Sequence, residues 1–273
     1  MIWVGNGSGL WSGMNNTLPP VILVMILAVL GVFWFDSAAA VSLPESPDPS
    51  RPVTVIELFT SEGCSSCPPA EAKLSTLVDR DDILALAYHV DYWDYIGWAD
   101  PFARPENTKR QRAYGVSLKN RTIYTPQMVF QGVFDTPGSR DGQINDGYTA
   151  ALEVPRIPVS IVMDNTRIAN IQIGASASAS EGVVGDADDD VLMVTYMRRA
   201  ASEVTRGENA GRSLEHRNVV RSFERIGRWN NMAKSLVYKV PEAVTGEPLG
   251  YAILVQEVSG GRIIGAAALN LEN

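Results

Sequence analysis

The two cysteines of the chain, Cys64 and Cys67, limit the fold more than any other feature of the sequence. They follow a β-branched and aromatic run, Val53–Phe59, and precede an apolar pattern of helical spacing over residues 70–78. A second apolar run of strand length, Ile83–Val90, comes next. We therefore predict a βαβ unit, with the cysteine pair in the turn between its first strand and its helix.

A C-x-x-C pair in such a turn brings two thiols together where the helix dipole favours a thiolate. Cys64, which we expect to lie nearer to solvent, is the candidate nucleophile, and Cys67 is the candidate resolving residue. Two alternatives stay open: Cys64 and Cys67 bind Cu(I) or Zn(II) with His89 as a third ligand, or they form an inert disulfide in a non-catalytic binding protein. Two cysteines exclude a multi-disulfide scaffold and a four-thiolate zinc site.

The N-terminal segment predicts export. Its first fifty residues contain no Lys or Arg, and Val21–Phe35 is an uninterrupted apolar run. That run is shorter than the roughly 20 residues of a spanning helix, and Ala38-Ala-Ala40 fits the pattern that signal peptidase cuts. We expect residues 1–40 to be a signal peptide and the protein to be periplasmic or secreted. The alternative is an uncleaved N-terminal anchor, which would be the protein's only contact with the membrane. The proline-rich residues 41–52 are predicted to be a tether.

The pattern of elements changes near residue 155. Before it we predict helices over 106–114 and 139–152 and a strand over 127–132, so that residues 53–155 form an α/β domain. After it, short strands follow one another with little helix: Val159–Met163, Arg167–Ile173, Val191–Met197, Ser235–Val240, Tyr251–Val258 and Arg262–Ala268. We therefore predict a separate antiparallel, β-rich, sandwich-like domain over residues 156–273.

Several motifs carry a family resemblance. The order strand, C-x-x-C, helix, strand, together with Thr125-Pro126 before a later strand, resembles the thioredoxin-like superfamily. The segments Val55–Pro69, Tyr88–Asp94, Tyr124–Gln127 and 207–221 resemble an exported bacterial family, domain-of-unknown-function family 1223. The resemblance implies a thioredoxin-like first domain, a β-rich second domain, and a cis bond at Pro126 against the cysteines.

Two ionisable residues are further candidates for the site. Glu57 is the nearest match to the buried carboxylate that moves protons under the thiols of thioredoxin-like proteins, and a salt-bridged Glu57 is the alternative. His89 lies near the end of the second strand and is a candidate proton shuttle or third metal ligand; the alternative is a hydrogen-bonded structural histidine. Pro68 and Pro69 are expected to push Cys67 out of helical dihedrals and delay the helix.

The net charge of the chain limits the kinds of partner that the protein can bind. Lys and Arg number 23 against 31 Asp and Glu, a net charge of -8 that disfavours nucleic acid. Eight arginines between Arg198 and Arg228 outnumber the four glutamates there, and we expect these charges, with His216, on exposed strands. The sequence thus predicts an extracytoplasmic thiol-disulfide oxidoreductase without an organic cofactor, acting on protein thiols and disulfides or on a redox partner protein.

Overall fold

A computed structural model of the chain describes residues 53–177, 188–241, 249–258 and 260–270. The predicted signal region, residues 1–40, and the predicted tether, residues 41–52, lie outside these ranges. Within the described part of the chain, no helix combines the length and the apolar character needed to cross a membrane.

The N-terminal part of the described chain, residues 53–155, contains three α-helices. The helices are α1 (Pro68–Leu77), α2 (Pro105–Ser117) and α3 (Asp141–Leu152). The strands of this half are β1 (Thr54–Thr60), β2 (Ile83–His89), β3 (Gln127–Phe130) and β4 (Phe134–Pro137). Because β1 and β2 pair in parallel and α1 connects them, the predicted βαβ unit is present.

The second half is built of strands. They are β5 (Val159–Met163), β6 (Ile168–Ile173), β7 (Asp189–Val204), β8 (Arg212–Trp229), β9 (Lys234–Lys239), β10 (Leu249–Gln256) and β11 (Ile263–Asn270). The sequence pattern predicts most of these strands but ends β7 at Met197 and does not predict β8. These two strands form a long antiparallel hairpin, paired from Asp189 with Trp229 to Val204 with Arg212.

One mixed sheet joins both halves of the chain. Its strand order is β11-β10-β7-β8-β2-β1-β3-β4, and a smaller sheet has the order β5-β6-β9. The junction is a parallel pairing of β2 with β8 at Ala87 and Val219. The predicted boundary between 155 and 156 therefore does not separate two sheets, and independent folding of the two predicted domains stays a prediction.

The centre of the large sheet is buried on both faces. Every residue of β1 and β2 is buried, as in strands covered on both sides. Ile56 and Leu58 of β1 pack with α1, whereas Val55 and Phe59, on the other face, pack with Tyr114 of α2. This arrangement fixes the end of β1, and hence the cysteine turn that follows it.

Candidate functional site

Cys64 and Cys67 form a disulfide, with their Cα atoms 5.4 Å apart, at the N-terminus of α1. The chain leaves β1 at Thr60 and folds into two successive tight turns. In these turns the Cys64 N–H donates to the Ser61 carbonyl at 3.1 Å, and the Cys67 N–H donates to the Cys64 carbonyl at 3.1 Å. The strand-to-helix position that the sequence predicted for the pair is thus the observed one.

The helix begins without delay, contrary to expectation. Cys67 has helical dihedrals of -78° and -38°, and Pro68 is already the first residue of α1. A proline suits this position because its fixed φ is helical and no N–H is needed there. The Cys67 carbonyl accepts the N–H groups of Ala70 and Glu71 at 2.9 and 3.1 Å. The two prolines offer no N–H group to a thiolate, so this helix start provides fewer hydrogen bonds than an ordinary one.

Both cysteines are buried, which corrects the expectation that Cys64 lies nearer to solvent. Cys64 is 1% exposed and Cys67 is 0% exposed, while Ser65 and Ser66 between them are exposed. A Cβ atom on Gly63 would lie 3.0 Å from the Cβ atom of Trp93, so the chain before Cys64 is closely covered.

Two segments cover the cysteine turn, and we call them the cap: the loop 91–98 and the tip of the β7–β8 hairpin, residues 205–211. The Asn209 side-chain amide donates to the carbonyls of Glu62 and Cys64 at 2.8 and 3.1 Å. Glu208 accepts the Ser65 N–H at 3.2 Å. The Trp98 indole donates to the Glu62 carboxylate at 2.7 Å. The cap is therefore hydrogen-bonded directly to the residues around the disulfide.

Pro126 directly precedes β3, which pairs with β1 in the large sheet. The Thr125-Pro126 peptide bond is cis, as the resemblance implied. The Trp93 indole of the cap donates to the Thr125 hydroxyl at 2.7 Å. Gln127, the next residue, pairs with Phe59 near the end of β1.

Glu57 is in a buried ion pair. Its carboxylate accepts two hydrogen bonds from the Arg110 guanidinium at 2.8 and 3.0 Å and one from the Tyr114 hydroxyl. Burial opposes the charge of Arg110, but the charge of Glu57 outweighs it and raises the pKa of Arg110 well above its usual value. Glu57 shares a sheet face with Phe59, opposite α1, so the structure shows the salt-bridged alternative.

His89 is fully buried, and it is bonded to a residue that the sequence did not single out. Its Nδ1 lies 2.7 Å from the Asp100 carboxylate, and its Nε2 has no hydrogen-bond partner in the described structure. Asp91, the other polar residue at this strand end, accepts instead from the Thr108 hydroxyl at 2.6 Å. The two side chains therefore do not form one site.

The predicted ligand set of Cys64, Cys67 and His89 is not brought together. Among the described residues, the group of at least three side chains close enough to hold a metal ion consists of Glu71, His89 and His216, with no cysteine in it. The two cysteine sulfur atoms are bonded to each other.

His216 is the largest correction to the sequence interpretation. It is 2% exposed, not part of a charged surface, and lies between two buried glutamates. Its Nε2 is 3.0 Å from the Glu62 carboxylate, and its Nδ1 bonds the Glu71 carboxylate. Its ring stands perpendicular to that of His89, with centroids 4.8 Å apart. We call Glu62, Glu71, His89, Asp100 and His216 the acid–histidine cluster.

The cluster shifts the pKa values of its members. Burial opposes the charge of His216, but hydrogen bonds and charges from Glu62 and Glu71 outweigh it and raise its pKa to about 10. Burial likewise opposes ionisation of Glu71, yet its contacts with His216 lower its pKa. For Asp100, burial is outweighed by the charge of His89 and its hydrogen bond, and the pKa is lowered.

The cluster adjoins the cysteine turn on both sides. Glu62 lies two residues before Cys64, and Glu71 lies one helical turn after Cys67. Glu71 also accepts the Thr60 hydroxyl at 2.6 Å. A cleft of about 600 Å³ reaches the cluster from outside, with Phe102 and His216 in its wall.

The fold and this site define a mixed α/β protein with one large sheet, few helices and a disulfide-closed C-x-x-C turn at a helix start. Residues 55–256 match the family model described as "Protein of unknown function (DUF1223)", and the chain belongs to that family.

Two solved structures are similar to this chain. A crystal structure of a protein from Agrobacterium tumefaciens has 30% sequence identity and a TM-score of 0.65, covering 82% of this chain and 99% of that one. HBP35 of Porphyromonas gingivalis has 12% identity and a TM-score of 0.57, covering 81% of this chain and 76% of that one, and indicates a shared fold alone. None of the curated proteins matches this chain.

Proposed function

We propose that this protein is an extracytoplasmic thiol-disulfide oxidoreductase with a thioredoxin-like α/β region, and that Cys64 and Cys67 are its reacting residues. The observation that carries the proposal is the disulfide itself, closed between two cysteines at the start of α1 in a βαβ unit. This position combines a short loop with a helix dipole that favours the thiolate form. The substrates are protein thiols and disulfides or a redox partner protein, and the protein is periplasmic or secreted.

The exchange reaction makes and breaks only bonds to sulfur. A substrate thiolate attacks one sulfur of the disulfide, a mixed disulfide forms, and the other cysteine leaves as a thiolate that takes a proton. A second substrate thiolate then attacks the substrate sulfur of the mixed disulfide, and the bound cysteine leaves as a thiolate that takes a proton. The substrate thus gains a disulfide and the protein gains two thiols. Two electrons pass to the protein, and the reverse sequence returns them. No organic cofactor is required.

The cap controls access in this proposal. Because both cysteines are buried, a substrate sulfur reaches the disulfide only after residues of the cap move away. Exposed Ser65 and Ser66 are the part of the turn that a substrate chain meets first. The Asn209 contacts to Cys64 and Glu62 are among those that must break.

The test compares the two single-cysteine variants. Cys67→Ser is expected to accumulate a mixed disulfide at Cys64 with a model substrate, and Cys64→Ser to lose turnover while keeping the fold. The wild-type pair is expected to equilibrate with a glutathione buffer, measured by alkylation and mass spectrometry.

A structural disulfide gives a different result. The pair then stays oxidised across the glutathione range, and both single variants lose stability alike without trapping substrate. That outcome would refute the exchange proposal. Circular dichroism of each variant shows whether a lost activity reflects lost folding.

A further inference from the structure

Three buried side chains of metal-binding type meet next to the cysteine turn. Glu71 comes from α1, His89 from β2 and His216 from β8, and one ligand atom of each lies within 4.8 Å of the others. Two imidazoles and a carboxylate are a ligand set that Zn(II) and neighbouring divalent metals take in proteins. We propose that these three residues form a binding site for a divalent transition metal ion of the Zn(II) class.

The unpartnered nitrogen of His89 points to a ligand. Asp100 bonds Nδ1 of His89 at 2.7 Å, and Asp100 is itself held by the N–H groups of Glu62 and Phe102, both at 2.8 Å. A carboxylate on Nδ1 places the proton there and the lone pair on Nε2. That Nε2 is fully buried and has no partner in the described structure. A histidine held by a carboxylate, with its other nitrogen free, is the usual arrangement at a metal site.

His216 differs from His89, because both of its ring nitrogens have a carboxylate partner. Glu62 bonds its Nε2 at 3.0 Å and Glu71 bonds its Nδ1, so an ion between Nδ1 and Glu71 takes the place of that hydrogen bond. The ring of His89 packs edge-on against the ring of His216, with centroids 4.8 Å apart. Nδ1 of His216 and Glu71 are thus gathered beside His89, and each imidazole has its own supporting carboxylate.

The charge of the cluster also suits a dication. Glu62, Glu71 and Asp100 are three carboxylates in a buried space that two histidine side chains share. Buried carboxylates need compensating charge, and protonated His216 supplies it between Glu62 and Glu71 in the metal-free protein. A divalent ion that displaces this proton keeps positive charge at the same place and bonds Glu71 directly.

An ion has a route to one of these ligands, His216. The cleft of about 600 Å³ has His216 and Phe102 in its wall, and Glu215 and Arg217 flank His216 there. The cleft therefore gives an entry path to the edge of the site. Because the cysteines form a disulfide and supply no ligand, the metal proposal is independent of the proposed exchange activity.

The experiment titrates the oxidised full-length protein, first freed of metal with a chelator, with Zn(II) by calorimetry and with Co(II) by absorption spectroscopy. We expect about one equivalent to bind, since the described residues contain one group of this kind. Loss of a residue that only supports a metal ligand weakens metal binding by about 10 to 100-fold, and we expect a loss of this size for Asp100→Asn. For the ligand variants His89→Gln and Glu71→Gln we expect a loss at least as large.

The matched control is Glu215→Gln, an exposed acid beside His216 in the same cleft. It is expected to bind metal like the wild type. Equal loss in this variant would place the ion on the surface and overturn the proposal, as would no binding by the oxidised wild type or full binding by a folded His89→Gln variant. Binding that appears only after reduction would assign the ion to the cysteines instead. Exchange assays on the same samples keep the two proposals separable.

Discussion

The buried pair of Glu57 and Arg110 gives the sharpest test of the packing argument. The Glu57 carboxylate is 1% exposed, and Arg110 supplies two of its three named donors. We consider Arg110→Met, which keeps an unbranched side chain but removes the guanidinium, and with it the charge, that lies over the rings of Tyr88 and Tyr114. Glu57 is then left as an uncompensated buried charge, and such losses cost about 3–5 kcal/mol.

A second variant separates charge from packing. The double substitution Glu57→Gln with Arg110→Met removes both charges and keeps a side-chain oxygen for the Tyr114 hydroxyl. Gln256 still loses the Arg110 hydrogen bond of 3.0 Å, and an unsatisfied buried group costs about 1–3 kcal/mol. We therefore expect the double variant to be less destabilised than Arg110→Met alone.

The assay is guanidinium chloride unfolding of the oxidised protein followed by circular dichroism, with the midpoint and slope fitted together. A loss below about 1 kcal/mol in Arg110→Met would refute the buried-charge argument, since that is the range of exposed pairs. A double variant as unstable as Arg110→Met would refute it as well. The same proteins test the catalytic prediction for Glu57, because a purely structural pair predicts unchanged exchange rates in every folded variant.

Three further predictions follow from single contacts. A Cβ atom on Gly147 would lie 2.5 Å from the buried ring of Phe130, so we expect Gly147→Ala to lower the free energy of unfolding by about 1–3 kcal/mol. The control is Gly142→Ala in the same helix, where the new Cβ atom meets open space and the free energy of unfolding is not expected to fall. Asn209→Ala frees two carbonyls near the disulfide, and we expect faster reduction by dithiothreitol; an unchanged rate would argue against the cap as a barrier. Because the folded pKa of His216 is raised from 6.5 to about 10, its stabilising contribution is full below pH 6.5 and is lost as the pH rises through about 10. Chemical unfolding of the chelator-treated protein across this range should show that loss, and His216→Gln should remove it.

The parts of the fold that the sequence predicts well are those encoded by nearby residues. The βαβ unit follows from two apolar runs and one helical pattern within about forty residues of sequence. The apolar runs Val53–Phe59 and Ile83–Val90 predict both ends of β1 and β2 to within one residue. The cysteine turn is predicted for the same reason, since its position depends only on the elements on either side.

The parts that it does not predict depend on pairing between distant segments. β8 intersperses Arg and Glu with apolar and small polar residues, and only 5 of its 18 residues are buried, so its pattern resembles a charged surface segment. Its place in the sheet comes from pairing with β7 and, at Val219, with β2. No local signal in the sequence shows that this pairing buries His216 against α1.

Glu62 and Glu71 were within reach of sequence reasoning. Each lies close to a cysteine, two residues before Cys64 and four residues after Cys67. Glu71 is also on the same helix face as Cys67, because residues four apart share a face. The family resemblance points to Glu57 in the strand as the nearest match, and not to the charged residues of the turn.

The β7–β8 hairpin connects the two proposed sites. Its tip carries Asn209, which holds the carbonyls of Glu62 and Cys64, and its second strand carries His216, which bonds the Glu62 side chain. Glu62 thus contacts the cap over the disulfide and is also a member of the acid–histidine cluster. Movement of the tip that exposes the disulfide breaks the Asn209 hydrogen bond to Glu62, the residue whose carboxylate bonds His216. By linkage, any factor by which a bound metal ion changes the reduction equilibrium of Cys64 and Cys67 must equal the factor by which their reduction changes the metal affinity.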